Sequence, residues 1–345
     1  MIFPVPVTGI PLLRVERLME KAAFATNRSE TSDCLLCPNA CRVADGHRGR
    51  CLSRGRDRGC MMVHNYGVVV AAHTDPIEKK PLYHFYPGRS ILSIGSFGCN
   101  LSCRFCQNAE ISQQEVPGEY ISPQKLVQSA SATAGNLGVA FTYNEPGIWY
   151  EYILDSAPLL RKLGLKVVMV TNGYLSAEPW RNLCGCIDAM NIDLKGFSEK
   201  FYADVCGGKL APVLHNIQTA YAAGVHVELT NLVVPGLNDE PKLFEEMISW
   251  IASISPEIPL HLSRYFPRHK EIGPPTPPEL LEELRNQAVR HLKNVFVGNI
   301  ALPDGNNSVC PDCGMVWIER HGYSVRIKSP GKSCSCGRRK GIPGI

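Results

Sequence analysis

ILSIGSFGCNLSCRFCQN, residues 91–108, decides how this chain is read. Residues 91–97 form an apolar, β-branched run of strand length, and Gly98 ends it. Cys99, Cys103 and Cys106 follow at once in C-x3-C-x2-C spacing, on the loop that leaves the strand. Downstream the same unit recurs. Runs of strand character are GVAFTY (138–143), KVVMVTN (166–172), AMNIDLK (189–195), HVELTNLVV (226–234), PLHLSRY (259–265) and NVFVG (294–298). Between them lie SPQKLVQSASATAG, PGIWYEYILDSAPLLRKLG, LHNIQTAYAAG, PKLFEEMISWIASI and PPELLEELRNQAVRHLK, with apolar residues at three- and four-residue spacing. Repeated β-α units call for parallel strands joined by right-handed crossovers. The expected fold is α/β, a full or partial (β/α) barrel, with an open doubly wound sheet as the alternative. Small cysteine-rich N- and C-terminal extensions flank it: a cap over 1–88, the barrel over 89–300 and a metal-bound module over 301–345.

In a barrel, chemistry belongs on the loops after the strands. Polar and glycine-rich residues do follow each of the first five strands: Gly98-Cys99, Asn144-Glu145-Pro146, Asn172-Gly173, Lys195-Gly196 and Pro235-Gly236. The chain has 345 residues, 44% of them hydrophobic, enough for one large core with appendages. A net charge of +4 with interspersed signs argues against nucleic acid or a membrane surface. The N-terminal MIFPVPVTGIPLLRVERLMEK lacks a basic n-region before an apolar run, and no stretch reaches about 18 apolar residues, so a cytoplasmic protein is expected. Of the 15 cysteines all but Cys184, Cys186 and Cys206 fall into three groups, at metal-ligand rather than disulfide spacing.

Three thiolates on one loop can ligate three corners of a [4Fe-4S] cubane and leave the fourth iron without a protein ligand. An amine and a carboxylate can chelate that iron and bring a sulfonium within electron-transfer reach.

GCNLSCRFCQN resembles the signature of the radical S-adenosylmethionine (SAM) superfamily, with aromatic Phe105 before the last cysteine. DPIEKKPLYHFYPG (75–88), FTYNEP (141–146), NIDLKGF (191–197), NLVVPGLND (231–239) and LHLSRYFP (260–267) resemble the relatives of pyruvate formate-lyase activating enzyme, and more closely the radical SAM component of the AmmeMemoRadiSam system. The resemblance implies an enzyme whose cluster cleaves SAM reductively to a 5′-deoxyadenosyl radical that abstracts hydrogen. An activase that makes a glycyl radical on a partner protein is the alternative, and a non-enzymatic zinc protein stands further off. Implied partners are a low-potential donor (flavodoxin or ferredoxin), a protein substrate, and Memo-like and AMMECR-like proteins.

The resemblance assigns Thr142, Tyr143, Asn144 and Glu145 to the segment whose carbonyls receive the SAM amino group, although Tyr143 and Asn144 stand where the superfamily has glycines. It places Thr171, Asn172, Asp193 and Lys195 around the methionyl and ribose groups, and Val233, Val234 and Pro235 near the adenine. Strand alternation puts Asn191, Asp193 and Lys195 on one face. His84 is a candidate to face the cluster or substrate, and His261, Arg264 and Tyr265 are candidates for substrate contact by position.

Two further cysteine sets remain. Cys34, Cys37, Cys41 and Cys51 suit zinc or an auxiliary iron-sulfur cluster, with His47 and Cys60 as substitute ligands. Cys310, Cys313, Cys334 and Cys336 read as a zinc knuckle pair around a hairpin turning at His321-Gly322, its second pair C-x-C rather than C-x2-C.

Overall fold

The computed structural model describes residues 19–300 and 306–345; the N-terminal stretch read above for targeting lies mostly outside them. Strands β1 (Ala71–Pro76), β2 (Ser90–Gly95), β3 (Asn136–Phe141), β4 (Lys166–Thr171), β5 (Ala189–Asp193), β6 (His226–Val233), β7 (Leu260–Arg264) and β8 (Val295–Gly298) form one sheet. They stand in sequence order, β2 to β8 parallel and β1 antiparallel to β2. A sheet wound in one direction without a switch in strand order is a barrel rather than a doubly wound sheet. β1 and β8 do not pair, so the barrel is partial. The sheet therefore begins at Ala71, inside the segment read as the N-terminal cap.

Helices α1 (Pro123–Ala132), α2 (Tyr150–Lys162), α3 (Ala177–Cys184), α4 (Leu210–Ala222), α5 (Pro241–Ile254) and α6 (Pro278–Ala288) make the crossovers. Their starts are written locally. Ser122 caps α1 by accepting from Lys125 N–H, and proline opens α1, α5 and α6, where a missing N–H costs nothing. The strands are apolar on both faces because helices cover one and the barrel interior the other: Val139, Ala140 and Phe141, and Val167, Val168 and Met169, are wholly buried.

The lower end of the barrel is closed by a charged hub. Glu228 on β6, fully buried, accepts from the backbone N–H of Tyr83 (2.9 Å) and His84 (2.7 Å) and pairs with His226 (2.9 Å) and His261 (2.7 Å). His84 therefore lies at the end opposite the strand C-termini, its ring 2.9 Å from Ser308 Oγ. Ser308 and Tyr83 O in turn accept from Arg320. The C-terminal module, with strands Ser308–Val309, Val316–His321 and Ser324–Ile327, is docked through this hub. Residues 19–63 add two three-stranded antiparallel sheets on the other side. Among the described residues no helix is long and apolar enough to cross a membrane.

Burial pushes the His84 imidazole down to about 3, against the pull of Glu228. Burial works to raise Glu228, but its hydrogen bonds from His226 and His261 outweigh it and hold the carboxyl well below the usual range. Both groups bind fewer protons folded than unfolded. The His84 contribution is thus complete above the unfolded value of about 6.5 and lost as pH falls through the acid range. Thermal unfolding should show a midpoint that drops between about pH 7 and about pH 5, and His84→Gln should flatten that dependence; an unchanged slope would remove His84 from the account.

Candidate active site

The upper end of the barrel opens into a cavity of about 350 Å³. Cys99, Cys103 and Cys106 line it on the loop after β2, and so do Thr142, Tyr143, Asn144, Glu145, Thr171, Asn172, Asp193 and Lys195 from the ends of β3, β4 and β5. Eight sequence-assigned contacts are thus brought together with the three thiols. Val234 is not among them. It is buried in the core with its N–H donated to Asn238, and β6 presents Thr230 and Leu232 to the cavity instead.

Side-chain hydrogen bonds shape the cysteine loop where strand pairing ends. Asn144 Oδ1 accepts from Ser96 N–H (3.0 Å), while its Nδ2 donates to Phe97 O (3.2 Å) and Gly98 O (3.0 Å). Gly98 has φ of +88°, and a Cβ there would lie 2.1 Å from Cys51 O, so only glycine fits. The thiols meet donors suited to sulfur. Asn172 Nδ2 donates to Cys99 Sγ (3.6 Å), Leu101 N–H donates to it (3.4 Å), and Cys106 Sγ is 3.2 Å from Ser112 Oγ.

Tyr143 takes φ of +72°, turning the chain between β3 and Glu145 without glycine. Its carbonyl accepts from Asn108 Nδ2 (2.7 Å) and that of Thr142 from Asn144 N–H (3.0 Å), each with a second lone pair left over. Glu145 points back into the protein. One oxygen accepts from Gly147 N–H (2.7 Å) and Thr171 Oγ1 (2.6 Å), the other from Asn172 N–H (2.7 Å). Burial raises its carboxyl to about 7, against these hydrogen bonds.

Lys195 Nζ lies 2.8 Å from Asp193. Burial works against the ammonium, yet Asp193 and the Cys103 thiol hold it charged well above the usual lysine range. Asn191 sits one pleat deeper, donating to Pro81 O and accepting from Thr230 Oγ1. Of the candidates on β7, His261 is held by Glu228 and Tyr265 is fully buried with its hydroxyl on Glu271 O, while Arg264 Nε donates to Thr276 O. Ser263 is the residue of that strand on the cavity.

Residues 93–251 match the family model described as Radical SAM superfamily. The chain is 40% identical over 300 residues to an uncharacterized protein of Methanocaldococcus jannaschii, covering 85% of this chain and 89% of that protein. The chain belongs to the radical SAM superfamily. It is 28% identical over 170 residues to the benzylsuccinate synthase activating enzyme of Thauera aromatica (48% of this chain, 51% of the relative). With the GTP 3′,8-cyclase of Geobacter sulfurreducens it shares 31% over 147 residues (41% and 45%). Each match spans about half of those two relatives. A domain of the pyruvate-formate lyase-activating enzyme of Bacteroides vulgatus overlays with a TM-score of 0.41 at 20% identity, covering 47% of this chain and 99% of that domain. The protein is accordingly a radical SAM enzyme.

This radical SAM site holds residues that sequence reasoning left without a role. Lys79 and Lys80 reach the cavity from the segment after β1. Asp75 pairs with Lys80 (2.9 Å) and Lys79 (3.2 Å) and accepts from Tyr143 Oη (2.8 Å). Burial works to raise Asp75, but the bonds from Lys80, Tyr143 and Lys79 hold it well below the carboxylate range. Cys206, which stands apart in the sequence, is buried beside Cys103 and Lys195. DPIEKK was the signal for the first group; nothing local marks Cys206.

Glu145→Gln would set an amide NH₂ against hydroxyl and backbone donors. It should lower the unfolding free energy by roughly 1–3 kcal/mol in chemical denaturation; a loss within about 0.5 kcal/mol would show that the three bonds are dispensable.

Proposed function

We propose that Cys99, Cys103 and Cys106 hold a [4Fe-4S] cluster and that the strand-end residues around them bind SAM against it. When bound, such a cluster supplies the electron that cleaves SAM to methionine and a 5′-deoxyadenosyl radical, which takes hydrogen from a substrate. The observation that carries this reading is the convergence of three thiols and eight polar strand-end residues on one cavity. The donors on Cys99 and Cys106 fit thiolate ligands, whose charge they stabilise.

The chain's own residues bind and orient. The carbonyls of Thr142 and Tyr143 accept from an ammonium. Lys195, held charged beside Asp193, meets a carboxylate, and Thr171 and Asn172 offer hydroxyl and amide groups to the methionyl and ribose regions. Asn144 and Glu145 act on the ligand through backbone, one fixing the cysteine loop and the other the start of the β4 loop. Lys79, Lys80 and Tyr143, held together by Asp75, form a polar rim where a polar substrate group would dock. The electron donor is a low-potential flavodoxin or ferredoxin. Activation of a partner protein is supported by the similarity to the benzylsuccinate synthase activating enzyme, and association with Memo-like and AMMECR-like proteins by the motifs at 75–88 and 231–239.

The C-terminal module holds zinc. The sulfurs of Cys310, Cys313, Cys334 and Cys336 all lie within 4.8 Å of one another, with Cys310 to Cys336 and Cys313 to Cys334 at 3.6 Å. The two 3.6 Å separations are close to the edge, about 3.8 Å, of a tetrahedron with zinc-sulfur bonds of about 2.3 Å. The C-x-C pair reaches this geometry because Gly337, at φ of +91°, turns the chain directly after Cys336.

Anaerobically reconstituted, reduced protein should release 5′-deoxyadenosine from SAM, and the combined change Cys99→Ala, Cys103→Ala, Cys106→Ala should abolish release; release by that variant would overturn the assignment. Lys195→Ala should raise KM for SAM about tenfold, which is about 1.4 kcal/mol of binding, while Lys195→Arg restores part of it. Removing the C-terminal metal with Cys313→Ser should lower Tm and leave SAM cleavage at permissive temperature; loss of cleavage in folded protein would give that site a catalytic role.

A further inference from the structure

Cys34, Cys37, Cys41 and Cys51 are the largest set of metal-ligating side chains outside the sites above. The strands Thr31–Cys34 and Arg42–Ala44 pair so that Cys34 N–H donates to Cys41 O (2.8 Å), and the turn between them carries Cys37, closed by Ala40 N–H on Cys37 O (3.1 Å). Cys51 returns on a second turn, closed by Leu52 N–H on Gly49 O (3.0 Å), with Gly49 packed against the Cys41 side chain. Cys34, Cys37 and Cys51 are buried and Cys41 partly so. The candidate substitutes do not join them: His47 is exposed with its ring on Asp45 O, and Cys60 sits in the hairpin with Asp57.

The spacing of these sulfurs separates two metals that the sequence leaves open. Cys34 and Cys41 are joined across the hairpin, Gly49 of the Cys51 turn packs on Cys41, and Cys37 lies within electrostatic reach of the other three, so the four fall in one neighbourhood. Yet among the described residues only the C-terminal set brings three or more sulfurs all within 4.8 Å of one another. The N-terminal sulfurs are not drawn together that closely. Cys99, Cys103 and Cys106 show the same relation: electrostatic reach among all three, without that close packing. A cubane interposes iron and sulfide between its thiolates and holds them farther apart than one zinc ion does.

A second observation points the same way. Arg54, 1% exposed, lies within electrostatic reach of Cys34 and Cys51. Its Nη1 donates to Ala23 O (2.6 Å) and Nη2 to Glu151, while its buried Nε–H has no acceptor among the described residues. A cluster offers acceptor sulfur and negative charge to such a donor.

We infer that Cys34, Cys37, Cys41 and Cys51 hold a second iron-sulfur cluster, fully ligated by protein thiolates, which passes electrons to the cluster on the cysteine loop. Four protein ligands leave no iron open to substrate, so its chemistry is one-electron transfer: a low-potential protein donor reduces it, and it returns to the oxidised state by reducing its neighbour. The two loops touch directly. Cys51 O packs on Gly98, Asn39 Nδ2 donates to Asn100 O (2.7 Å), and Arg50 Nη2 donates to Ser102 Oγ (2.8 Å). The second site itself does not depend on the SAM reading; only the direction of transfer does.

The test starts from the variant with Cys99, Cys103 and Cys106 all changed to alanine, reconstituted anaerobically with iron and sulfide. It should retain about four iron per chain with matching sulfide and become paramagnetic on reduction, with about one zinc remaining at the C-terminal site. Adding Cys37→Ala and Cys51→Ala should remove that iron. An iron-free triple variant carrying about two zinc per chain would overturn the inference and leave the SAM reading intact. A triple variant with the full iron content of the wild type would instead overturn the SAM-cluster assignment. Mössbauer spectra of the unmodified protein give an answer free of folding effects: two cubane populations are expected, and a single population sinks the second cluster. With both clusters present, Arg54→Lys should shift the reduction potential of only one of them.

Discussion

The site depends on side chains taking over from strand pairing where the barrel strands diverge. Beyond Gly95 and Phe141 the backbone of β2 and β3 no longer forms a ladder, and its polar groups still need partners in a buried place. Asn144 supplies them: its carboxamide both accepts from and donates to the cysteine loop, which is then held at one height above the barrel. Glu145, the next residue, does the same for the end of β4 through Thr171 and Asn172. Two adjacent side chains thus join three strand ends, and Asn172 closes the circuit onto Cys99 and Asn100. A carboxylate is costly to bury, and three hydrogen bonds only partly offset that cost, consistent with its raised pKa.

This explains which parts were legible in the sequence. All seven parallel strands were marked by apolar runs of strand length, because strands covered on both faces have no polar alternation to confuse the reading. The antiparallel strand Ala71–Pro76 was missed because its burial alternates irregularly and His73, Thr74 and Asp75 interrupt it. Helix α3 was missed too: AEPWRNLC is short, with its apolar face carried by few residues. At the site, barrel topology pointed to Asn144, Glu145, Asn172 and Lys195 after the strands, and the resemblance added Thr142, Tyr143, Thr171 and Asp193; all of them line the cavity. Val234 was carried there by resemblance, yet it is buried in the core, and Asn238 bonds its N–H and Leu232 O.

His84 and His261 show a different limit. Both are polar residues near a barrel, and sequence cannot say which end they occupy. Glu228, in the middle of an apolar run, was the neglected clue. A fully buried carboxylate has to be met by hydrogen-bonding partners, and His226, His261 and the backbone at residues 83–84 meet it. The histidines are thereby spent on closing the barrel floor and are withdrawn from the substrate side. The same hub reaches Arg320 through Tyr83 and Ser308, so the C-terminal module is fastened to the lower end, away from the cysteine loop.

The placement of the cysteine sets follows from this division. The set farthest from the cavity packs its sulfurs within 4.8 Å, as a structural ion requires, and is tied to the floor of the barrel. The two sets at the top meet across Gly98, where even a methyl group would displace the backbone of Cys51. Close approach there is maintained against the conformational cost of glycine and by side-chain bonds on both flanks, from Asn39 and Arg50. A purely structural cap would not need to touch the cysteine loop at its most crowded point. Electron transfer rewards short distance between centres, and the direct contact of the two loops keeps that distance short.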